Sequence, residues 1–264
     1  MTAPNAYTVI QTILLKFYAQ VQRTGLLSTP LFRKLFLFAY DAYKRVLEAG
    51  DIDGLQMFVR PNEVIVDVGA NVGFFTKRFA TWVQDEGYVI AIEPETKNYA
   101  QLTRTVTQFP SDTVQTIQAA VSDHSGTVNL AINPIHPGDH RVAEEGVAVR
   151  AIMLDELEIS LPVCLLKIDV QGAEHRVLNG AQQVITRDHP AIYMELDDEA
   201  LHQMDSNTAQ VLALLESWGY HPHQFQKDRN LQRLTAKEAL SLSQNGNYAD
   251  LLFLTHQPNI GNQS

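Results

Sequence analysis

The segment Val64-Ile65-Val66-Asp67-Val68-Gly69-Ala70-Asn71-Val72-Gly73-Phe74-Phe75-Thr76 constrains the fold more than any other part of the chain. An apolar, β-branched run enters a turn with two glycines, and a helical pattern follows it. A strand, a glycine turn and a helix in that order present the free N–H groups of a helix N-terminus to a ligand, and glycine lets the backbone approach it closely. The segment therefore predicts an α/β unit built around a nucleotide-type cofactor.

The rest of the sequence extends that unit. Short β-branched runs at Val64 to Val68, Tyr88 to Ile92, Val114 to Ala119, Val163 to Asp169, Ala191 to Leu196 and Asp250 to Thr255 read as strands. Helical stretches at Phe74 to Val83, Lys97 to Thr107, Ala173 to Arg187 and Thr208 to Trp218 fill the gaps, which is the βαβ signature of a largely parallel sheet. A longer excursion, Asp123 to Ser160, carries two β-like runs, Thr127 to Ile132 and Val147 to Met153, around a polar loop at Asn133 to Gly146. Before the sheet, Ile10, Ile13, Leu14, Phe17 and Val21, and then Phe32 to Leu47, recur at helical spacing. With 264 residues and 45% apolar side chains, the chain accommodates one large domain and a small appendage. The expected division is a helical appendage over 1–50, as lid, partner contact or peripheral membrane contact, a main domain over 51–256 and a flexible tail over 257–264.

Composition excludes some functions. Thirty acidic against twenty basic residues give a net charge of −10, which opposes broad nucleic-acid binding. The single cysteine, Cys164, has no partner for an internal disulfide and lies in an apolar run. Charged residues interrupt the longest apolar segments, so no transmembrane span is expected, and a cytoplasmic location fits. The oligomeric state stays open, with a homodimer as one option.

Three acidic positions narrow the cofactor. Asn71 stands where a dinucleotide loop needs its second glycine, and Asp67 would repel a pyrophosphate while attracting a cationic sulfonium or its ammonium group. Both favour S-adenosylmethionine over NAD. Glu93 ends the second strand about 20 residues after the turn, where a carboxylate accepts from ribose hydroxyls, and Glu95 reads instead as a helix cap. Asp123 follows the third strand, either facing an adenine amino group or serving as a turn residue before Gly126. The expected cofactor set is Asp67, Gly69, Asn71, Gly73, Phe74, Glu93, Asp123 and Asp169.

These residues resemble the FkbM-type family of class I S-adenosylmethionine-dependent methyltransferases. The resemblance rests on Val66 to Thr76, Leu154-Asp155-Glu156-Leu157, Leu166-Lys167-Ile168-Asp169-Val170-Gln171-Gly172-Ala173-Glu174 with Leu178-Asn179-Gly180-Ala181, and Met194-Glu195, and it spans about 30–256. It implies a seven-stranded Rossmann-like sheet with an antiparallel last strand and helices on both faces. It also implies O-methylation of a hydroxyl on a sugar or other small metabolite. Asn71 is usual in the family; Gln171 stands where many members have Glu.

Methyl transfer to oxygen needs a base near the hydroxyl and a linear approach to the sulfonium carbon. His140 in Gly138-Asp139-His140-Arg141 is the first candidate base, with Asp139 to orient it and Arg141 to hold a polar substrate; His136 and His175 are weaker candidates. Lys167 and Asp169 share one face of their strand, so they either pair with each other or face the site as catalytic groups. Gln171, Glu174 and Glu195 fall at strand ends where an acceptor would bind. Asp169 and Glu195 are also the candidates for a divalent cation such as magnesium. Two further readings stay open: an NAD-dependent oxidoreductase, and a non-catalytic cofactor-binding or membrane-peripheral module.

Overall fold

The computed structural model describes residues 49–84, 86–132, 141–143, 145–226 and 230–256. The predicted appendage over 1–50 lies outside them except for its last residues, which enter a short helix at Ala49–Gly54. The tail from 257 and the loop over 133–140 lie outside them as well. Internal contacts divide the chain after Asp53, and the fold below belongs to the larger unit, from Gly54 onward.

That unit carries an eight-stranded sheet. Its strands are β1 (Val64–Val68), β2 (Tyr88–Ile92), β3 (Val114–Ile117), β8 (Val163–Ile168), β9 (Ala191–Asp197), β10 (His221–Phe225), β11 (Leu231–Arg233) and β12 (Tyr248–Leu254). Across the sheet they run β3-β2-β1-β8-β9-β12-β10-β11. The five from β3 to β9 pair in parallel, and β12 inserts antiparallel between β9 and β10. Every residue of β1 and β2 is buried, the pattern of central parallel strands covered on both faces. The order reverses between β1 and β8, so the carboxyl ends of these strands open onto a crevice where such sheets bind ligands.

Three strands of the excursion and the short strand just before it form a second sheet, β4-β7-β5-β6, from Ala120–Val121, Gly126–Ala131, Arg141–Ala143 and Val147–Ile152 in sequence order β4 to β7. The strand expected over Val114 to Ala119 ends early, at Ile117, and the chain then enters the small sheet at Ala120, which pairs with Ala151.

Helix α1 (Phe74–Trp82) follows the glycine turn and α2 (Thr96–Val106) follows β2. The single helix expected over Ala173 to Arg187 is two, α3 (Glu174–Asn179) and α4 (Gln182–Asp188). At the junction a Cβ on Gly180 would stand 1.9 Å from the Ser122 carbonyl oxygen, so the chain must pass there as glycine. Asp155 then starts α4 by accepting from the N–H groups of Gln183 (2.9 Å) and Val184 (3.0 Å). The chain continues through α5 (Asp198–His202), α6 (Thr208–Ser217) and α7 (Ala236–Leu242). The resemblance implied seven strands; the eighth, β11, is a three-residue edge strand on β10.

Candidate active site

The turn after β1 is shaped by what lies against it. Gly69 (φ +74°) passes so close to β8 that an added Cβ would meet the Asp169 carbonyl oxygen at 1.9 Å. Its N–H and that of Ala70 both donate to the Ile92 carbonyl at 3.0 Å, which ties the turn to the end of β2. Asn71 takes the left-handed conformation (φ +51°) and donates its N–H to Glu93 Oε2 at 2.9 Å. Gly73 (φ +90°) begins α1 against Leu102 and Thr105 of α2.

A cavity opens at the carboxyl ends of β1, β2, β3 and β8. Gly69, Asn71, Glu93, Asp169 and Gln171 of the expected residues line it. Glu93 is 5% exposed; its Oε1 accepts from the Glu95 N–H at 3.0 Å. Burial pushes the Glu93 carboxyl up to about 7, against the opposing pull of the Glu95 and Asn71 N–H groups. Glu95 caps α2 by accepting from the Asn98 N–H at 2.7 Å. Of the two carboxylates, Glu93 is therefore the one on the cavity wall.

Asp67 is elsewhere. It is fully buried behind the wall, accepts from Thr76 Oγ1 at 2.6 Å and faces Lys167, its register partner on β8, with Nζ 3.2 Å from Oδ1. The expected direct meeting of Asp67 with a cofactor cation is corrected, because its charge is already balanced inside the fold. Lys167 is 2% exposed and makes a second ion pair with Asp169 Oδ2 at 3.4 Å. Burial alone would depress its pKa, but Asp67 and Asp169 outweigh burial and hold it above the ordinary lysine value. An ammonium held this firmly cannot serve as a base, so the expectation of Lys167 as a catalytic group is corrected to the pairing reading. Asp169 alone of this trio lines the cavity.

Beside it, Gln171 (φ +54°) donates through Nε2 to Glu195 Oε1 at 3.0 Å and lies 3.5 Å from Asp169 Oδ1. The two carboxylates proposed for a cation are thus joined by an amide. Among the described residues, no three His, Cys, Asp or Glu side chains gather in a metal-holding group. Glu174 is 2% exposed, accepts from the Gly172 N–H at 3.0 Å, and is raised by burial to about 7. It lies off the cavity wall, as do Glu195, Gly73 and Phe74. The Phe74 ring packs edge-on against Phe75 and under the Arg78 guanidinium, 5.8 Å from its centroid.

Asp123 is exposed and off the cavity wall; it accepts from Ser122 Oγ and binds His124 Nδ1 at 2.7 Å, as a turn residue would. His175, on α3, is half-buried, and burial lowers its pKa. His136, Asp139 and His140 lie outside the described residues; for Arg141 the backbone is described, in β6. The Cys164 thiol donates to the Val64 carbonyl and is pushed up to about 12 by burial.

Sequence reasoning missed some of the apolar part of the wall. Leu130 of β5 and Val142 of β6 line the cavity together with Ala119 to Val121, of which the segment from Ala120 was expected beside an adenine. The alternation Val128, Leu130 in the excursion was the available signal. Asn98 in the first turn of α2 also lines it.

Residues 67–222 match the family described as the methyltransferase FkbM domain. The chain is 25% identical over 187 residues to the 2-O-methyltransferase NoeI of Sinorhizobium fredii (strain NBRC 101917 / NGR234), covering 62% of this chain and 75% of that protein. Among solved structures, the methyltransferase FkbM from Methylobacillus flagellatus KT is 16% identical with a TM-score of 0.45, over 74% of this chain and 44% of that one. A TehB-like SAM-dependent methyltransferase from Corynebacterium glutamicum ATCC 13032 Kitasato is 10% identical with a TM-score of 0.44, over 86% and 100%.

Proposed function

The chain belongs to the FkbM methyltransferase family, and on that premise we propose that it transfers a methyl group from S-adenosylmethionine to a hydroxyl of a sugar or other small metabolite. The observation that carries the reading is the convergence of the Gly69 turn, Glu93 and Asp169 on one cavity at the reversal of strand order. Glu93 keeps acceptor capacity beyond its two backbone partners, which suits paired ribose hydroxyls. Asp169 puts negative charge on the wall, which suits the cationic end of the cofactor and disfavours a pyrophosphate. The apolar strip at Ala119 to Val121 with Leu130 suits the flat face of a purine. When bound, adenosylmethionine supplies an electrophilic methyl group on a sulfonium.

The chain's own part is then to orient, to exclude water and to accept a proton. Gln171 extends the polar wall and donates to Glu195, which lies off the wall, and His140, with Asp139 and Arg141, is proposed as the base and substrate grip. A magnesium ion on Asp169 and Glu195 is the second arrangement for lowering the hydroxyl pKa; hard carboxylates suit it, but the Gln171 amide that joins them would have to turn away. Among the described residues no helix is long and apolar enough to cross a membrane; a cytoplasmic location and a peripheral or partner-contact role for 1–50 belong to the same proposal.

Calorimetry with adenosylmethionine tests the cofactor; release of adenosylhomocysteine across sugar, lipid-head and polyketide hydroxyls, with and without magnesium, tests the acceptor. Absence of saturable adenosylmethionine binding would sink the reading, and a thermal shift with NAD in its place would revive the oxidoreductase.

A further inference from the structure

We propose that Lys167 is a positioning residue, whose ammonium locks the cofactor turn and Asp169 into one fixed arrangement and cancels the charge of Asp67. The proposal rests on the reading of the cavity as an adenosylmethionine site.

An ammonium has three N–H donors. Around Lys167 Nζ stand three oxygens: the Gly69 carbonyl at 2.9 Å, Asp67 Oδ1 at 3.2 Å and Asp169 Oδ2 at 3.4 Å. The ring of Phe75 covers it from another side, 4.8 Å to the centroid. The Gly69 contact is a hydrogen bond and the two carboxylate contacts are ion pairs; with the side chain 2% exposed, Lys167 acts only through these neighbours.

Those neighbours are three different parts of the site. Gly69 is the turn itself, Asp169 is the acidic group on the wall, and Asp67 is the interior end of β1. Turn and wall already touch at Gly69 and Asp169, and Lys167 fixes that contact with charge. Two carboxylates and one ammonium leave one net negative charge. With Asp67 fully buried and Asp169 on the cavity, that charge is presented at Asp169.

Removing one member of a buried ion pair leaves an uncompensated charge and damages folding, so Lys167→Met alone is uninformative about position. The discriminating variant is Asp67→Asn combined with Lys167→Met, which removes both charges of the fully buried pair. A purely structural role makes stability and affinity move together; a positioning role separates them. The expected result is that the double variant melts well above Lys167→Met yet binds adenosylmethionine at least about tenfold more weakly than the unmutated protein, the loss of one charge-assisted contact. Lys167→Arg is a second arm: it keeps the charge but holds its donors in a planar fork, and it too is expected to bind about tenfold more weakly. Unchanged affinity in either variant, when it melts like the unmutated protein, overturns the positioning role alone. Absence of saturable binding in the unmutated protein overturns the cofactor reading, and the positioning role with it.

Discussion

Gly69 and Asp169 lie in such close contact that a Cβ on the glycine would stand 1.9 Å from the aspartate's carbonyl oxygen. The same glycine has φ +74°, a conformation that L side chains rarely adopt. Gly69→Ala therefore meets two penalties, backbone strain and a clash with main chain that cannot rotate away. Together they are expected to cost at least about 3 kcal/mol, a Tm loss of roughly 10 °C. Calorimetric melting checks it; a variant that melts like its parent would show that β8 can retreat from the turn.

Glu93 makes the protein's behaviour depend on pH. Its carboxyl is raised from the ordinary 4.5 to about 7, so the folded state holds this proton over a range in which the unfolded chain has released it. Below about 4.5 both states are protonated and there is no penalty; across the window up to about 7 the penalty of burying the charge grows; above about 7 it is constant. Stability is thus expected to fall as pH rises through that window, with Glu174, also raised to about 7, contributing in the same direction. In Glu93→Gln the slope is shallower by the Glu93 share. Cofactor affinity runs the other way in the unmutated protein, rising through about pH 7 as the carboxylate that accepts from ribose hydroxyls forms. In Glu93→Gln that rise disappears. Melting and calorimetry across the pH window read both effects, and an unmutated affinity flat through pH 7 counts against Glu93 as the ribose acceptor.

The sheet and the glycine turn were legible because burial on both faces writes itself as continuous apolar runs, as in β1 and β2. What was illegible depended on partners distant in sequence. Asp67 reads as a ligand group until its register neighbour across β1 and β8 is known to be Lys167. The β10 strand, His-Pro-His-Gln-Phe, carries a proline and little β propensity, and pairing with β12 and β11 makes it a strand. Helix α7 is not among the helices expected from the sequence, although Thr235 and Glu238 form a reciprocal capping box whose residues are a signal of sequence alone. Gly180 falls inside the single helix expected over Ala173 to Arg187, and only the approach of Ser122 shows why that position must be glycine.

Asp155, in the motif Leu154-Asp155-Glu156-Leu157, does its work away from the cavity. Its two carboxylate oxygens accept from Gln183 and Val184 at the start of α4, while its own N–H donates to the Gly180 carbonyl at 2.9 Å. Asp155→Ala is expected to lose the cap at a cost of about 1–2 kcal/mol, lowering Tm by roughly 5 °C. Adenosylmethionine affinity should stay at the unmutated value. A large drop in affinity without loss of Tm would place Asp155 in the site instead.

Gln171 decides how the two carboxylates beside it coexist. Its amide donates to Glu195 at 3.0 Å and faces Asp169 at 3.5 Å, so a neutral donor separates two negative groups. Gln171→Glu replaces that donor with a third carboxylate and leaves three like charges at one corner of the cavity. The lost hydrogen bond and the repulsion are together expected to cost about 2 kcal/mol, lowering Tm by roughly 5 °C in the presence of a chelator. Three carboxylates within reach of one another also suit a hard divalent cation. Magnesium should therefore restore much of the variant's Tm, and by more than it raises that of the unmutated protein. Paired melts with magnesium and with chelator measure the difference. Equal shifts in the two proteins would mean that residue 171 has no part in separating these charges, and that the pair Asp169 and Glu195 already behaves as it would with a third carboxylate beside it.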